Sequence, residues 1–296
     1  MRIVTRPDFD GVVCTALLME IFDITEPTLW VEPVKINKGE VEIKEGDIIA
    51  NLPFDKRCSW WFDHHFTNSV NTDFKGEFRL AHSAAGIIYD YFKKDFTKNY
   101  DKLVRETDRI DSARLTMEEI LLPKNNPYVM LSFTIKGNDH DSESYWNKIV
   151  DFLRTMEIED IIKEEEVRER INLEVENDLR YKEFLLKYST VEDGVSITDF
   201  RSLDSIPSGN RFLVFSLFPD THVNIKVRYE DGEIGDVIMS ISHSIFNRKC
   251  RVHCGKIVAG FGGGGHFGAG SCSCSEDIYE SSIDSIINIL KKNVEI

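Results

Sequence analysis

Two acidic stretches of the sequence carry side chains that could bind a metal ion. In PDFDG, Asp8 and Asp10 lie two residues apart between a strand-like and a helix-like segment. In WWFDHHF, Asp63, His64 and His65 directly follow an apolar run. Carboxylates combined with an imidazole suit a divalent cation, and the nitrogen ligand favours Mn²⁺ over Mg²⁺.

Each stretch also has an ordinary structural explanation. Asp10 could cap the helix that follows it, with Gly11 easing the turn, and FDHH could be a solvated polar loop. The loop explanation accounts poorly for two adjacent histidines after so apolar a run. Asp108 and Asp111, in RETDRID, are spaced to share one face of a helix, where either could be a salt-bridged surface residue. If these carboxylates and histidines meet at the carboxyl ends of the strands, they indicate a ligand site.

The third unusual stretch is GFGGGGHFGAG, which has six glycines in the nine residues from 260 to 268. Such a run exposes backbone N–H groups and lets a ligand approach closely. A Walker phosphate loop is excluded, because no Lys-Ser or Lys-Thr pair follows, and a dinucleotide fingerprint is poorly supported, because no early βα unit precedes the run. The alternative is a structural turn, which requires fewer glycines.

Six cysteines raise the alternative of a structural zinc site. Four of them lie with His253 in CRVHC and SCSC near the C-terminus. Neither stretch has the C-x2-C spacing typical of zinc sites. Cysteines of intracellular proteins are usually reduced, so free thiols on strands and loops are the preferred interpretation.

The formal net charge of −15 limits the partners that we expect. Proteins that bind long DNA or RNA neutralise many phosphates and usually show a basic stripe. The charge therefore disfavours long nucleic acids but permits a small phosphorylated substrate held by local cations. The N-terminal stretch lacks the apolar run of a signal peptide, and we expect a cytoplasmic protein without a membrane partner.

The elements predicted around these residues form two α/β domains joined by a helical linker. From residue 1 to 150, strand-like and helix-like runs alternate, which is typical of a parallel sheet. Residues 151–190 are highly charged with helical apolar spacing, which predicts the linker. Residues 191–296 hold further strands and a closing helix. The predicted strands are RIVTR, TLWVEPV, DIIANLP and CSWWF, followed in the second domain by SITDF, RFLVFSLF and HVNIKVRY.

In combination, PDFDG, FDHH and GGGGHFGAG resemble the motifs of the DHH–DHHA1 phosphoesterase superfamily, in an order that spans nearly the whole chain. That group includes RecJ-type nucleases, nanoRNases, cyclic-dinucleotide phosphodiesterases and exopolyphosphatase-like proteins, with family II pyrophosphatases more distant. The resemblance implies a Rossmann-like parallel-sheet DHH domain in residues 1–150 that holds Mn²⁺. It also implies a smaller α/β DHHA1 domain in residues 191–296 that binds substrate.

The resemblance further implies a role for each matched residue. Asp63, His64 and His65 would be catalytic, with Asp63 orienting His64 and His65 facing the substrate. The implied metal ligands are Asp8, Asp10, His64 and Asp108, with Asp111 as the competing candidate for the last. The implied contacts to a phosphate or terminal nucleotide are Gly264, Gly265, His266 and Arg248.

Two departures from the superfamily pattern bear on the metal site. Many members place a histidine where this chain has Val4. Members also have an aspartate closing the strand before DHH, and here the best match is Asn51, with Asp55 as a stand-in. An amide oxygen can coordinate a cation but brings no charge, so one of the two metal positions would be weak, filled only with substrate, or absent.

The resemblance implies hydrolysis of short phosphorylated substrates by metal-activated water. We rank 3′-to-5′ cleavage of short oligonucleotides or linear dinucleotides first and exopolyphosphatase-like hydrolysis of polyphosphate close behind. A degenerate module that binds nucleotides with weakened catalysis is the alternative from another class. A homodimer stays open.

Overall fold

The computed structural model describes residues 1–137, 142–230 and 235–295. The chain divides into two units, and each consists of two segments. The first unit is Met1–Leu115 with Pro123–Asn172, and the second is Thr116–Leu122 with Leu173–Ile296. The predicted linker contains one helix of 24 residues, Glu165–Tyr188, whose residues are shared between the two units. Catalytic and substrate-binding roles for the domains stay predictions.

The sheet of the first unit has five parallel strands, as the alternating pattern predicted. Its order is β2-β1-β3-β4-β5. The strands are β1 Arg2–Thr5, β2 Leu29–Trp30, β3 Asp47–Ala50, β4 Trp60–Asp63 and β5 Gly76–Phe78. The second strand is shorter than TLWVEPV suggested, because Pro33 begins a helix at a position where its fixed φ and missing N–H are tolerated.

The helices are numbered along the chain. In the first unit they are α1 Phe9–Ile21, α2 Pro33–Asn37, α3 Ala84–Tyr91, α4 Asp101–Asp111, α6 Pro127–Phe133, α7 Glu143–Thr155 and α8 Ile158–Ile161. In the second unit they are α5 Met117–Leu121, α10 Leu213–Leu217, α11 Cys254–Ala259 and α12 Glu276–Lys292, and α9 Glu165–Tyr188 is the shared helix. None of the helices in the described ranges is both long enough and apolar enough to cross a bilayer.

The second unit is built on a six-stranded mixed sheet of order β10-β11-β9-β8-β7-β6. The strands are β6 Ser189–Glu192, β7 Val195–Asp199, β8 Val223–Tyr229, β9 Val237–His243, β10 Gly264–Gly265 and β11 Ala269–Cys274. Only the β7–β8 pair within this sheet is parallel. Alternate residues of β8, namely Val223, Ile225 and Val227, pack into a core with α11 and α12. The intervening residues of β8 therefore lie on the opposite face of the sheet.

The prediction of a strand at RFLVFSLF is wrong, because this stretch forms α10. A short apolar run without alternation does not separate a buried strand from a buried helix. Here the Asn210 side chain accepts a hydrogen bond from the Phe212 N–H at 3.0 Å, and this local turn leads the chain into the helix.

The four C-terminal cysteines are buried, and all six cysteines have free thiols. Cys250, Cys254, Cys272 and Cys274 pack in the core of the second unit. Among residues 1–137, 142–230 and 235–295, the side-chain groups close enough to hold a metal ion contain no cysteine. Buried free thiols are compatible with the preferred interpretation, and zinc binding stays untested.

Candidate metal centre

The first acidic pair follows β1, where the chain turns into α1. Asp8 is the N-cap of α1, and its Oδ1 accepts the Gly11 N–H at 2.8 Å. The capping role that we considered for Asp10 thus belongs to Asp8. The guanidinium Nε of Arg6 lies 3.4 Å from Asp8 Oδ2. Loss of water around the carboxylate raises the pKa of Asp8 to about 6, with the Asp10 charge adding to this and Arg6 opposing it.

Asp10 is 1% exposed and is held at the start of α3. Its two carboxylate oxygens accept the N–H groups of Ala84 and Ala85, each at 2.9 Å. These are donors that α3 itself leaves without a partner, and the positive end of the helix dipole favours an anion there. Asp10 is therefore fixed as a buried carboxylate before any ligand binds.

His64 follows β4 and presents one ring nitrogen to the carboxylates. Its Nδ1 lies 3.2 Å from the Ala81 carbonyl oxygen, which can only accept, so Nδ1 is a donor and Nε2 is the nitrogen that remains for a ligand. Nε2 is buried without a hydrogen-bond partner among the described residues. It lies 3.4 Å from Asp111 Oδ2 and 3.8 Å from Asp10 Oδ2.

This group fits a divalent cation. The ligand atoms of Asp10, His64 and Asp111 all lie within 4.8 Å of one another. A buried lone pair facing two carboxylates is unfavourable unless a proton or a cation lies between them. One imidazole and two carboxylates form a donor set that divalent metals accept. Asp10, His64 and Asp111 are thus a set of candidate ligands that the structure brings together.

The predicted partner of Asp63 is wrong, because Asp63 orients His65 and not His64. Asp63 is fully buried, and its Oδ1 accepts the His65 Nδ1–H at 2.8 Å. Its Oδ2 accepts the Asn68 side-chain amide at 2.7 Å. Burial opposes the charged form of the imidazole, but the hydrogen bond to Asp63 and the Asp63 charge outweigh this and raise the pKa of His65. Adjacent histidines therefore use different orienting partners.

The geometry favours Asp111 over Asp108 as the ligand from α4. Asp108 Oδ1 accepts the Ser83 hydroxyl at 2.6 Å, and Ser83 in turn caps α3 by accepting the Gly86 N–H. Burial raises the pKa of Asp108, with the Ser83 hydrogen bond opposing the shift. Asp108 is thus bound to the capping residue of α3, whereas Asp111 approaches His64.

Asn51 lies next to Asp8, and Asp55 has a different partner. Asn51 follows β3, is 1% exposed and adopts a left-handed backbone conformation with φ of 57°. Its Nδ2 donates to Asp8 Oδ1 at 2.9 Å, while its Oδ1 is buried without a partner in the described part of the chain. Asp55 accepts the backbone N–H and the Nε–H of Arg57, both at 2.9 Å. Hydrogen bonding to Arg57 lowers the pKa of Asp55.

Val4 is fully buried and packs with Ile49 and Trp61 in the core of the first unit. The position where many members of the DHH–DHHA1 superfamily have a histidine therefore contributes to packing here. The sequence argument also missed Arg6, Ser83 and Asn68, which contact Asp8, Asp108 and Asp63 respectively. Of these, Ser83 had a detectable signal, since a serine before the small residues of AAG is typical of a helix N-cap.

In the second unit, the glycine run forms an exposed hairpin. Gly264 and Gly265 make up β10 and pair with Ser271 and Gly270 of β11. The His266 N–H donates to the Ala269 carbonyl at 2.7 Å, and His266 is exposed. A Cβ on Gly265 would lie 2.4 Å from the Ala269 oxygen, so glycine is required for the tight hairpin itself. Arg248, also exposed, donates from Nε to the Ile245 carbonyl at 3.0 Å.

No protein-family model matches the sequence, and no curated protein matches it significantly. Solved structures do match. The pGpG-specific phosphodiesterase PggH from Vibrio cholerae superimposes with a TM-score of 0.85 and 27% identity, covering 99% of both chains. An exopolyphosphatase-related protein from Bacteroides fragilis has a TM-score of 0.55 and 14% identity, covering 98% of this chain and 93% of its own.

These matches confirm the predicted resemblance to the DHH–DHHA1 phosphoesterase superfamily. The same fold occurs in RecJ from Thermus thermophilus, solved with Mn²⁺, at a TM-score of 0.58 and 11% identity. That match covers 99% of this chain and 52% of RecJ. The predicted α/β fold class is therefore confirmed, and the acidic and imidazole cluster of the first unit is suited to a divalent cation.

Proposed function

We propose that this DHH protein is a metal-dependent phosphoesterase that hydrolyses short phosphorylated nucleotides, with linear dinucleotides such as pGpG as the first substrates to test. The observation that supports this most strongly is the buried, unpartnered Nε2 of His64, which faces the carboxylates of Asp10 and Asp111. The 99% coverage shared with a pGpG-specific phosphodiesterase supports the substrate class.

In this proposal Asp10, His64 and Asp111 hold one divalent ion, which we propose is Mn²⁺. Asp8 and the amide oxygen of Asn51 contribute to a second position. When bound, such ions make water a better nucleophile and neutralise charge on the phosphoryl oxygens. The protein prepares the first position in advance, since two N–H groups fix Asp10 and the Ala81 carbonyl fixes the His64 tautomer.

His65 has a separate role in the proposal. The hydrogen bond and the charge of Asp63 raise the pKa of His65, so more of the imidazole is protonated near neutral pH. A protonated His65 can donate its Nε2–H to a phosphoryl oxygen as negative charge develops there. Asp63 is thus a positioning residue that acts through His65.

Gly264, Gly265, His266 and Arg248 stay candidate substrate contacts. Their exposure makes them accessible to a ligand. An exopolyphosphatase-like activity on polyphosphate would use the same phosphorus chemistry. The degenerate binding module has one supporting observation of its own, which is that the Asn51 amide donates to a carboxylate oxygen of Asp8 that a metal would need.

The experiment is a hydrolysis panel with Mn²⁺ or Mg²⁺ and five substrates: pGpG, a five-nucleotide RNA, 3′-phosphoadenosine 5′-phosphate, polyphosphate and pyrophosphate. We expect release of mononucleotide from pGpG, and a loss of at least about 100-fold in His64→Ala and Asp111→Asn. Asp90→Asn is the matched control, because Asp90 is an exposed acid of the first unit that pairs with Arg79.

Metal binding is read separately from activity, as the shift in thermal midpoint when Mn²⁺ is added. Wild type and Asp90→Asn should be stabilised, and His64→Ala should not. If no substrate is cleaved and Mn²⁺ leaves the midpoint unchanged, the protein is a binding module and the phosphoesterase proposal fails.

A further inference from the structure

The first unit contains a cavity beside the carboxyl ends of β1 and β2. Its volume is about 370 Å³, which is within the size range of small-molecule sites. Pro7, which follows β1, and Glu32, which follows β2, both line it, and Trp146 of α7 forms another part of its wall. Open α/β sheets bind ligands at the carboxyl ends of their strands. The cavity therefore lies at an edge of the sheet where a ligand is expected.

Arg6 connects this cavity to the metal centre. The guanidinium Nε of Arg6 lies 3.4 Å from Asp8 Oδ2 and 3.6 Å from Glu32 Oε2. Asp8 belongs to the proposed second metal position, and Glu32 lines the cavity. Because a single guanidinium reaches both carboxylates, a group bound in the cavity can belong to a molecule whose phosphate lies at the metal centre.

The carboxylate of Glu32 has one oxygen available to a ligand. A Cβ on Gly137 would lie 2.3 Å from Glu32 Oε1 and 3.2 Å from the Pro7 ring, so only glycine leaves room for this oxygen. Gly137 also lines the cavity. Whereas Glu32 Oε2 faces Arg6, its Oε1 accepts no hydrogen bond from another residue in the described part of the chain. Glu32 Oε1 is therefore an acceptor held at the cavity wall.

The charges of the lining disfavour an anion. Glu143, in the first turn of α7, adds a second carboxylate, and Lys35 of α2 adds one ammonium group. Two carboxylates and one ammonium leave an excess of negative charge, which repels a phosphate. A carboxylate can only accept hydrogen bonds. The lining therefore favours an uncharged group that presents N–H donors.

Two indole rings supply the apolar part of the wall. Trp30 and Trp146 pack edge to face with their ring centroids 5.5 Å apart. The Trp30 Nε1–H donates to the Asn147 side-chain oxygen at 3.1 Å. Trp146 is 3% exposed, yet its Nε1–H has no acceptor among the residues that the structure describes. A buried donor without a partner is unfavourable, and a flat aromatic ligand with an acceptor atom would suit these indoles.

We propose that this cavity binds the guanine base of the nucleotide substrate, an inference that rests on the proposed function. Glu32 would accept hydrogen bonds from guanine N1–H and N2–H, and Lys35 and the Trp146 Nε1–H would donate to O6 and N7. Among the common bases, guanine alone has two neighbouring donors on its Watson–Crick edge, which match a carboxylate. The base would thus be selected in the first unit, beside the metal centre.

The test compares nucleotides that differ only in the base. IMP lacks the 2-amino group of GMP and is otherwise identical to it. Binding is measured with the full chain in EDTA by calorimetry and by quenching of tryptophan fluorescence, because Trp30 and Trp146 line the cavity. We expect wild type to bind GMP about 10- to 100-fold more tightly than IMP, since a matched pair of hydrogen bonds to a base contributes about 1–3 kcal/mol of discrimination.

Three variants assign the selectivity to Glu32. Glu32→Gln removes the charge at nearly constant size and should bind GMP about as weakly as IMP. Gly137→Ala keeps the charge but displaces Glu32 Oε1, so it should reduce the same ratio. Glu45→Gln is the control and should keep the wild-type ratio, because Glu45 is an exposed glutamate of the first unit outside the cavity lining. Unchanged IMP binding and a melting temperature within a few degrees of wild type show that each variant is folded.

Kinetics then identify the source of the guanine. If GMP competes with pGpG, and Glu32→Gln lowers kcat/KM for pGpG but not for the inosine analogue pIpI, the cavity binds the base of the substrate. Inhibition by GMP without competition would overturn the assignment to the substrate. The inference as a whole fails if wild type does not prefer GMP to IMP, or if Glu32→Gln keeps that preference. Glu32-dependent preference for GMP without hydrolysis of pGpG would instead overturn the proposed function alone.

Discussion

Replacing Asn51 with aspartate tests whether this position weakens one metal site. Asn51 Nδ2 donates to Asp8 Oδ1 at 2.9 Å in a buried setting. Asn51→Asp removes that donor and places a second carboxylate beside the first. We expect the variant to be less stable than wild type without divalent ions and to gain more stability from Mn²⁺.

The size of the effect follows from two terms. A hydrogen bond to a charged group contributes about 1.5–3 kcal/mol. Two like charges 4 Å apart repel by about 4 kcal/mol at an effective dielectric constant of 20. Proton uptake limits this repulsion, because the pKa of Asp8 is already raised to about 6, and protonating such a group at pH 7.5 costs about 2 kcal/mol. Because the proton taken up also restores a donor between the two carboxyl groups, we expect a loss of about 2 kcal/mol at pH 7.5, which is the cost of that protonation. The loss should be smaller at pH 5, where one carboxyl group is already protonated.

The assay is urea unfolding of both proteins at pH 7.5 and pH 5, in EDTA and in Mn²⁺, with ion stoichiometry from calorimetry. Asn68→Asp is the matched control, because Asn68 also donates an amide to a buried carboxylate, that of Asp63. Asn68→Asp should lose similar stability in EDTA, but Mn²⁺ should not restore it. If Asn51→Asp is as stable as wild type in EDTA, or gains no more than wild type from Mn²⁺, Asn51 does not limit metal binding.

Three further predictions concern neighbouring groups. Asp63→Asn should lower the pKa of His65, seen in the histidine NMR titration, because the hydrogen bond and the charge of Asp63 are lost. The alkaline limb of kcat/KM should then move to lower pH, because less imidazole is protonated. Gly76→Ala should lower the free energy of unfolding, measured in urea, by at least about 2 kcal/mol. The reason is that Gly76 has a φ of +122° and that a Cβ there would lie 2.0 Å from the Trp61 carbonyl oxygen. An unchanged unfolding midpoint would contradict this. The free energy of unfolding in EDTA should fall by up to about 3 kcal/mol from pH 4 to pH 7. The pKa of Asp8 is raised from 3.8 to about 6 in the folded protein, so between these values the folded state binds a proton that the unfolded state does not. Asp8→Asn should flatten this pH dependence.

The sequence predicted the position of the site better than its internal contacts. Asp8, Asp10 and His64 could be placed because each follows a strand of a parallel sheet, and the carboxyl ends of such strands meet at one edge. The Asp63–His65 pair could not be predicted, since either histidine can reach the aspartate before the backbone is fixed. The choice between Asp108 and Asp111 depended on Ser83, which lies 25 residues from Asp108. Helix periodicity alone places both aspartates on one face.

The second unit shows the same limit for binding residues. Lys226 belongs to the predicted strand HVNIKVRY, whereas no strand was predicted at Ser240. The register of the two strands was not readable either, because it depends on hydrogen bonds between strands. The glycine run attracted attention for its composition, whereas Lys226 and Ser240, which line a cavity of the second unit, belong to no motif.

The contrast between Asp10 and Asp8 bears on how many ions the centre holds. Asp10 accepts two helix N–H groups, which hold its side chain in place, so its geometry with His64 exists before a metal binds. Asp8 has a raised pKa and shares one oxygen with the amide of Asn51, so a cation there must displace a proton or a hydrogen bond. Binding free energy at the second position is reduced by that cost. A centre with one prepared and one unprepared position should therefore bind two ions with unequal affinity, and its activity should follow occupancy of the weaker one.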